Sequence, residues 1–249
     1  MLCQSIDHMM KITNLAVVAS LMIGVLGVAS LSAAEVAVKD GEKIAFMGDS
    51  ITQGGARPGG YVQLVISGLE ANGIKTTAIP AGISGHKSNQ MLARLEKDVL
   101  SKKPDWMTLS CGVNDVWHGA KGVPLDAYKE NITKIVEQCQ SAGIKVMILT
   151  STMIGEDAGN ENNQKLAPYN AFLIDLAKEK KCLVADLNAA MQAELEAAGS
   201  ERKDKMLTRD GVHMNAAGNQ MMAVGVLKSF GLDNQQIEKA RKSWAVAVK

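Results

Sequence analysis

The sequence is poor in aromatic residues and has no excess of charge of either sign. Phe, Trp and Tyr make up 4% of the 249 residues, so a hydrophobic core has to be built from aliphatic side chains and the 14 Met. The 27 Lys and Arg balance 26 Asp and Glu. This balance excludes the basic footprint of a nucleic-acid-binding protein and the acidity of a solvating tail.

Cysteine is scarce as well, and the common ligand-binding signatures are missing. Cys3, Cys111, Cys139 and Cys182 have no CxxC or metal-ligand spacing, which argues against a disulfide framework and against a zinc site. Neither GxxxxGK[ST] nor GxGxxG follows the first predicted strand, so a nucleotide-binding module is disfavoured. We therefore expect neither a metal nor an organic cofactor.

The first 34 residues have the order of regions that is typical of a secretory signal. Lys11 precedes an apolar run over residues 15–31, and Ser32-Ala33-Ala34 supplies the small residues that a signal peptidase reads. We expect cleavage there and export to the periplasm or the medium. The alternative is an uncleaved N-terminal anchor, because the run approaches the length that spans a bilayer. No later segment is apolar enough to do so, and no stable membrane insertion is expected after cleavage.

Residues 35–233 alternate between short apolar runs and amphipathic segments and are expected to form one domain. Because each predicted strand is a continuous apolar run, the pattern predicts a five-stranded parallel sheet that is covered by helices on both faces. Residues 155–163 have the composition of an exposed loop. Residues 234–249 are expected to form a helical appendage. The predicted strands are residues 43–47, 74–80, 106–111, 145–150 and 183–186.

Four short motifs carry chemistry, and each lies at the end of a predicted strand or at the entry to a helix. Alone each is weak evidence, since Ser before a helix is commonly an N-cap and Gly after a strand is usually turn chemistry. Ligands of parallel α/β sheets bind outside the carboxyl ends of the strands, where these motifs are expected to meet. The motifs are Gly48-Asp49-Ser50, Gly82-Ile83-Ser84-Gly85, Gly112-Val113-Asn114 and Asp210-Gly211-Val212-His213.

Taken in order, the motifs resemble the four blocks of the SGNH, or GDSL, hydrolase superfamily, over nearly the whole domain. The resemblance implies a flavodoxin-like three-layer α/β/α sandwich and a serine esterase. It also implies that Ser50 is the nucleophile, that His213 is its base and that Asp210 orients His213. The backbone amides of Ser50 and Gly85 and the side-chain amide of Asn114 would form the oxyanion hole.

Elementary chemistry agrees with these roles. A Ser hydroxyl is a poor nucleophile unless an imidazole removes its proton, and a carboxylate on the other ring nitrogen fixes the imidazole tautomer. Three histidines remain after removal of the predicted signal, namely His86, His118 and His213. Asp210 lies three residues upstream of His213, but Asp115 has the same spacing from His118, so the choice of His213 as the base rests on the resemblance.

The sequence departs from the superfamily pattern after Gly85, where His86 stands in place of the Asp that members often carry. His86 is therefore a candidate substrate contact, and the alternative is a solvated turn residue. Trp117 and His118 could line the mouth of the pocket, where an indole can stack on a sugar, or they could be partly buried under the loop.

The substrate is less well defined than the reaction. Export and a Trp-bearing loop favour a short-chain ester, such as an O-acetyl group on a small carbohydrate or a polysaccharide. A lysophospholipase or thioesterase-like acyl hydrolase is the first alternative, and residues such as Met153 and Ile154 could assemble the apolar groove that it needs. A catalytically inactive carbohydrate-binding protein is the second alternative.

Overall fold

The computed structural model describes residues 35–199 and 205–246. The predicted signal segment, residues 1–34, lies outside them. No helix in the described ranges has the length and hydropathy to cross a bilayer. The strands are β1 (Lys43–Gly48), β2 (Thr77–Gly82), β3 (Trp106–Ser110), β4 (Lys145–Leu149) and β5 (Leu183–Ala185). The helices are α1 (Ser50–Gly55), α2 (Tyr61–Ala71), α3 (Ser88–Asp98), α4 (Val113–Trp117), α5 (Leu125–Ser141), α6 (Glu161–Glu179), α7 (Leu187–Ala197), α8 (Ala216–Ser229) and α9 (Asn234–Val246).

The five strands form one sheet in the order β2-β1-β3-β4-β5, and every pairing is parallel. Met47 of β1 lies opposite Ala81 of β2 on one side and Leu109 of β3 on the other. This is the strand order of flavodoxin-like folds. The predicted flavodoxin-like α/β/α architecture with a five-stranded parallel sheet is confirmed.

The core is built from aliphatic side chains on both faces of the sheet. All four residues from Ile44 to Met47 are fully buried, because helices cover both faces of β1. Helices α2, α7, α8 and α9 pack against one another in one layer, and α3, α5 and α6 do so in the other. The C-terminal segment is helical over α9, which contributes Ile237, Ala240 and Trp244 to the same core.

The second strand begins later than predicted, at Thr77 instead of residue 74. The amide of Ile74 donates to the carbonyl of Leu69 and closes the end of α2. Lys75 is held in the loop that joins α2 to β2, because its amide donates to Asp40 Oδ1 at 2.7 Å. Backbone hydrogen bonds at the end of a helix therefore decide this boundary, and the apolar pattern does not report them.

Helix α6 begins earlier than predicted, at Glu161 inside the expected loop. Asn160 caps it, since its side chain accepts from the amide of Asn163 at 2.9 Å. The Asn163 side chain turns back and donates to the carbonyls of Ile154 and Asp157. The polar side chains of this segment thus cap the start of α6 and hydrogen-bond to the backbone of the preceding turn.

The topology places a crevice at the carboxyl end of β1. The chain continues from β1 to β2 on one side of it and later enters β3 on the other side. Such a switch point leaves the loops after neighbouring strands diverging from one another, and ligands of open α/β sheets bind there. The residues after β1, β2 and β3 include three of the four predicted motifs.

Candidate active site

Ser50 lies at the sharp junction between β1 and α1. The preceding residue, Asp49, is buried and caps α1 by accepting from the Ile51 amide at 2.9 Å. Burial and, to a smaller extent, the nearby Asp115 carboxyl outweigh the effect of that hydrogen bond and raise the pKa of Asp49 to about 6. Ser50 is therefore fixed at the first position of a helix, with its hydroxyl at the crevice.

His213 connects Ser50 to Asp210 by hydrogen bonds. Nε2 of His213 lies 2.9 Å from the Oγ of Ser50, and Nδ1 lies 2.7 Å from Oδ2 of Asp210. Oδ1 of Asp210 accepts from the His213 amide at 2.8 Å. Asp210 thus holds both the backbone and the ring of His213. An Nδ1–H that donates to Asp210 leaves Nε2 to accept from the Ser50 hydroxyl.

The hydrogen bonds of Asp210 also determine its charge. Its partial burial raises its pKa, but donation from the His213 amide, the His213 ring and the Val212 amide outweighs this effect and lowers the pKa to about 2. The carboxylate is therefore ionised across the neutral range and stabilises a positive charge that develops on the His213 ring.

Sequence analysis missed Glu156, which fixes the loop that contains Asp210 and His213. Its carboxylate accepts from the amides of Met206, Leu207 and Thr208 at 2.6–2.8 Å, and from the Thr208 hydroxyl at 2.7 Å. The adjacent Gly155 amide donates to the carbonyl of Gly211 at 2.6 Å. The partners of Glu156 are about fifty residues away and mostly backbone groups, so no sequence pattern indicates these contacts.

Replacing Glu156 by Gln is expected to lower kcat on p-nitrophenyl acetate roughly tenfold with little change in KM, because a shift of the His213 loop costs about 1.4 kcal/mol at the transition state. In the variant, the NH₂ group of the glutamine side chain replaces one carboxylate oxygen of Glu156. It then faces backbone N–H groups, so that donors lie opposite donors and a hydrogen bond is lost. The matched control is Glu70→Gln on the exposed side of α2. An unchanged kcat in a folded Glu156→Gln protein contradicts a positioning role for Glu156.

The loop after β2 brings Gly85 to the same crevice. The Ile83 amide donates to the Gly48 carbonyl at 3.0 Å, and the Ser84 amide donates to the Gln53 side chain at 3.2 Å. Gly85 has φ +74°, which a residue without Cβ adopts readily. In the described part of the chain, the amides of Ser50 and Gly85 donate to no protein acceptor. Both N–H groups are available to an external acceptor.

Asn114 is buried beside Asp49, with both of its amide hydrogens engaged. Its Nδ2 donates to Asp49 Oδ2 at 3.1 Å and to the His86 carbonyl at 3.2 Å, and its Oδ1 accepts from His118 Nε2 at 3.1 Å. Gly112 is the N-cap residue of α4, which contains Asn114; it has φ +138°, and a Cβ there would lie 2.3 Å from Ser151 Oγ. A donation from Asn114 to substrate would have to replace one of these long contacts.

The His86 ring is held by a buried arginine that sequence analysis also missed. The Nε of Arg94 donates to His86 Nδ1 at 3.1 Å, while its other nitrogens donate to the carbonyls of Gly48 and Ala81. Burial and the Arg94 charge lower the pKa of His86. Arg94 thus joins the ends of β1 and β2 beneath the site. The sequence feature that could have indicated this role is the position of Arg94 on the apolar face of α3, between Met91 and Leu95.

Trp117 is the last residue of α4, and His118 is its C-cap. His118 is exposed, but its ring donates to Asn114, so it orients that side chain. Trp117 is 46% exposed and lies beside it, with the ring centroids 6.2 Å apart. The indole is therefore about half exposed, and its contact with a substrate stays a prediction.

A family model describes this arrangement of motifs. The model for the GDSL-like lipase/acylhydrolase family matches residues 46–221, which include Ser50, Gly85, Asn114, Asp210 and His213. The chain belongs to this family. As a GDSL-type protein, it is a carboxylic ester hydrolase.

Several relatives of this GDSL esterase are acetylxylan esterases. The acetyl xylan esterase AlAXEase is 37% identical, with a TM-score of 0.71 and coverage of 75% of this chain and 98% of that one. The acetylxylan esterase of Geobacillus stearothermophilus is 29% identical over 79% of this chain and 97% of its own. Its structure gives a TM-score of 0.72. An uncharacterised lipoprotein of Bacillus subtilis is 25% identical over 63% of this chain and 72% of its own.

Solved structures of the Geobacillus enzyme include three that are described as catalytic mutants. In these, a serine, an aspartate or a histidine is replaced by alanine. The aspartate and the histidine are three positions apart in that chain.

Proposed function

We propose that the protein removes O-acetyl groups from carbohydrate with Ser50 as nucleophile, His213 as base and Asp210 as the residue that orients His213. The observation that carries the proposal is the hydrogen-bonded line from Ser50 Oγ through the His213 ring to Asp210, at 2.9 Å and 2.7 Å. The spacing of the aspartate and histidine in the catalytic mutants of the Geobacillus acetylxylan esterase supports it.

The proposed reaction has two halves. His213 Nε2 takes the proton of Ser50 as Oγ bonds to the ester carbonyl carbon, and the proton then passes to the leaving sugar oxygen as the ester bond breaks. Water activated by His213 hydrolyses the acetyl-serine, which releases acetate and restores the Ser50 hydroxyl. Asp210 stays ionised and stabilises the imidazolium in both halves.

The oxyanion in each half needs preorganised donors, each worth roughly a hundredfold or more in rate. We propose the amides of Ser50 and Gly85, which lack protein acceptors in the described ranges, together with the Asn114 side chain. Asn114 would exchange its 3.2 Å contact with the His86 carbonyl for the substrate oxygen. The His118 hydrogen bond to Oδ1 keeps its NH₂ group directed away from His118.

The surroundings of Ser50 favour a small acyl group. Met153 and Ile154, which could have lined an acyl groove, are buried in the core. The cavity next to Ser50 is walled largely by glycine backbone and polar side chains. A fatty tail therefore finds little apolar surface, at about 0.8 kcal/mol for each CH₂ that it would bury. Exposed Trp117 supplies a surface on which a sugar ring can stack.

Two substrate series test this proposal. On p-nitrophenyl esters, kcat/KM is expected to fall steadily from acetyl or butyryl to decanoyl, because the longer tails stay in water. On acetylated xylo-oligosaccharides, enzyme-dependent release of acetate is expected. Rates that improve steadily with chain length, with no acetate released from any acetylated glycan, favour the lysophospholipase or thioesterase-like alternative.

We also propose that the chain is exported, with cleavage after Ala34. The proposal rests on the charged, apolar and small-residue regions of the first 34 residues and is compatible with the resemblance to a lipoprotein. Expression of the full chain followed by N-terminal sequencing of the secreted form tests it. A mature protein that begins at Glu35 supports cleavage.

A further inference from the structure

A second feature of the crevice is the cavity that adjoins Ser50 and His213. It has a volume of about 320 Å³. Its wall includes the two arginines Arg57 and Arg209, and no carboxylate of the described residues lines it. The lining residues of the Gly-rich segment are Gly54, Gly55, Arg57, Pro58, Gly59 and Gly60.

Neither arginine is used by the fold. Both are exposed, and within residues 35–199 and 205–246 neither guanidinium makes a salt bridge or a side-chain hydrogen bond. Arg94, by contrast, is buried and fully engaged beneath the sheet ends. Unpaired guanidinium groups that line a cavity form charge-assisted hydrogen bonds with an anion that binds there.

The backbones of the two arginines are fixed although their side chains are exposed. The Arg57 amide donates to the Gly54 carbonyl at 3.0 Å, and its carbonyl accepts from Gly60 at 2.9 Å. The Arg209 amide donates to the His213 carbonyl at 2.8 Å, next to the loop that Glu156 holds. The backbones of both arginines are therefore anchored by hydrogen bonds in two separate loops that line the cavity.

The backbone adds to the positive potential of the cavity. Gly60 is the N-cap residue of α2 and Asn215 is that of α8, and both line the cavity. The N-terminus of an α-helix carries a partial positive charge, so two helices contribute in the same direction as the arginines. A neutral sugar would leave this potential uncompensated.

We propose that this cavity binds the carboxylate of an acidic sugar, so that the preferred substrate is an acetylated oligosaccharide that carries a uronic acid close to the acetylated residue. The proposal rests on the function proposed above and specifies its substrate class. A planar guanidinium pairs with a carboxylate through two parallel N–H···O bonds, which fixes the direction of the sugar chain relative to Ser50. The acidic sugar lies in the arginine cavity while the acetyl ester of its neighbour meets the nucleophile.

Three matched acetylated xylo-oligosaccharides test the inference: one neutral, one with a single glucuronic acid, and the same acidic one as its uronate methyl ester. Released acetate gives kcat/KM for each. The wild-type enzyme is expected to prefer the acid roughly fivefold over the other two, which is the upper end of what ion pairing at an exposed site contributes. The methyl ester keeps the shape and removes the charge. The preference is expected to shrink as NaCl is raised, because the pairing is screened.

The variants are Arg57→Gln, Arg209→Gln and the double variant, with Arg241→Gln on α9 as the matched control. The double variant is expected to lose the preference for the acid and to keep the wild-type kcat/KM on p-nitrophenyl acetate and on the neutral oligosaccharide. A wild-type enzyme that hydrolyses all three glycans equally overturns the inference and leaves the esterase function standing. A preference that survives in the double variant also overturns it. An enzyme that releases acetate from none of the glycans but hydrolyses p-nitrophenyl acetate contradicts the carbohydrate function itself.

Discussion

Ser50→Ala is expected to lower kcat/KM on p-nitrophenyl acetate by roughly four to six orders of magnitude, as removal of a triad nucleophile does. The variant is expected to fold normally, because within the described residues the Ser50 hydroxyl makes a single hydrogen bond, to His213 Nε2 at 2.9 Å. The Asp49 cap and the start of α1 do not depend on it. Circular dichroism and the melting temperature check the fold, and Ser101→Ala, at an exposed position, is the matched control.

A fluorophosphonate probe separates an active esterase from an inactive carbohydrate-binding protein. The wild-type chain is expected to form a covalent adduct at Ser50, identified by peptide mass, because an activated hydroxyl attacks the phosphorus and expels fluoride. Ser50→Ala is expected to remain unlabelled. A wild-type protein that binds acetylated glycans without labelling or turnover would be the inactive binding protein. Near-native turnover in folded Ser50→Ala would show that another residue is the nucleophile.

The sequence predicts the fold well because the strands of this sheet are buried on both faces. A run such as Ile44 to Met47 is apolar at every position, which distinguishes it from the amphipathic helices around it. Element boundaries are less predictable, since they depend on single hydrogen bonds. The Ile74 amide closes α2, and Asn160 caps α6 within residues 155–163, which were predicted to form a loop.

The candidate site is predictable to the extent that its residues follow strand ends. Ser50, Gly85 and Asn114 come after β1, β2 and β3, and parallel strands bring their carboxyl ends to one edge of a sheet. Asp210 and His213 belong to a loop before α8 instead, where their side chains form a hydrogen bond. Asp115 and His118 have the same spacing but bond to Ser88 and Asn114, so the spacing alone does not predict a pair.

The supporting residues were not predictable in the same way. Glu156 accepts hydrogen bonds from backbone amides, which every residue type except proline has. Its role therefore depends on how the fold brings two loops together, and residue types do not indicate it. Arg94 could have been noticed in the sequence, because it is a charged residue on the apolar face of α3. A buried arginine has to find acceptors, and the carbonyls of Gly48 and Ala81 at the strand ends supply them.

His213→Ala is expected to reduce kcat nearly as much as Ser50→Ala, because the imidazole is the hydrogen-bond partner that accepts the Ser50 proton. Asp210→Asn is expected to cost roughly one to two orders of magnitude less, since an amide can still hold the ring but cannot stabilise its positive charge. The pKa of about 2 means that Asp210 supplies a full negative charge at neutral pH, which the Asn variant lacks.

The other two histidines are the matched controls, because each makes a side-chain hydrogen bond near the site without reaching Ser50. His86 accepts from Arg94, and His118 donates to Asn114. His86→Ala is expected to change mainly KM for glycan esters. His118→Ala is expected to do the same and also to lower kcat by up to about tenfold, since it loosens one proposed oxyanion donor. Kinetics on p-nitrophenyl acetate and on an acetylated oligosaccharide separate these effects. A collapse of kcat in His86→Ala, with His213→Ala tolerated, would identify His86 as the base and make the 2.9 Å contact between Ser50 and His213 incidental.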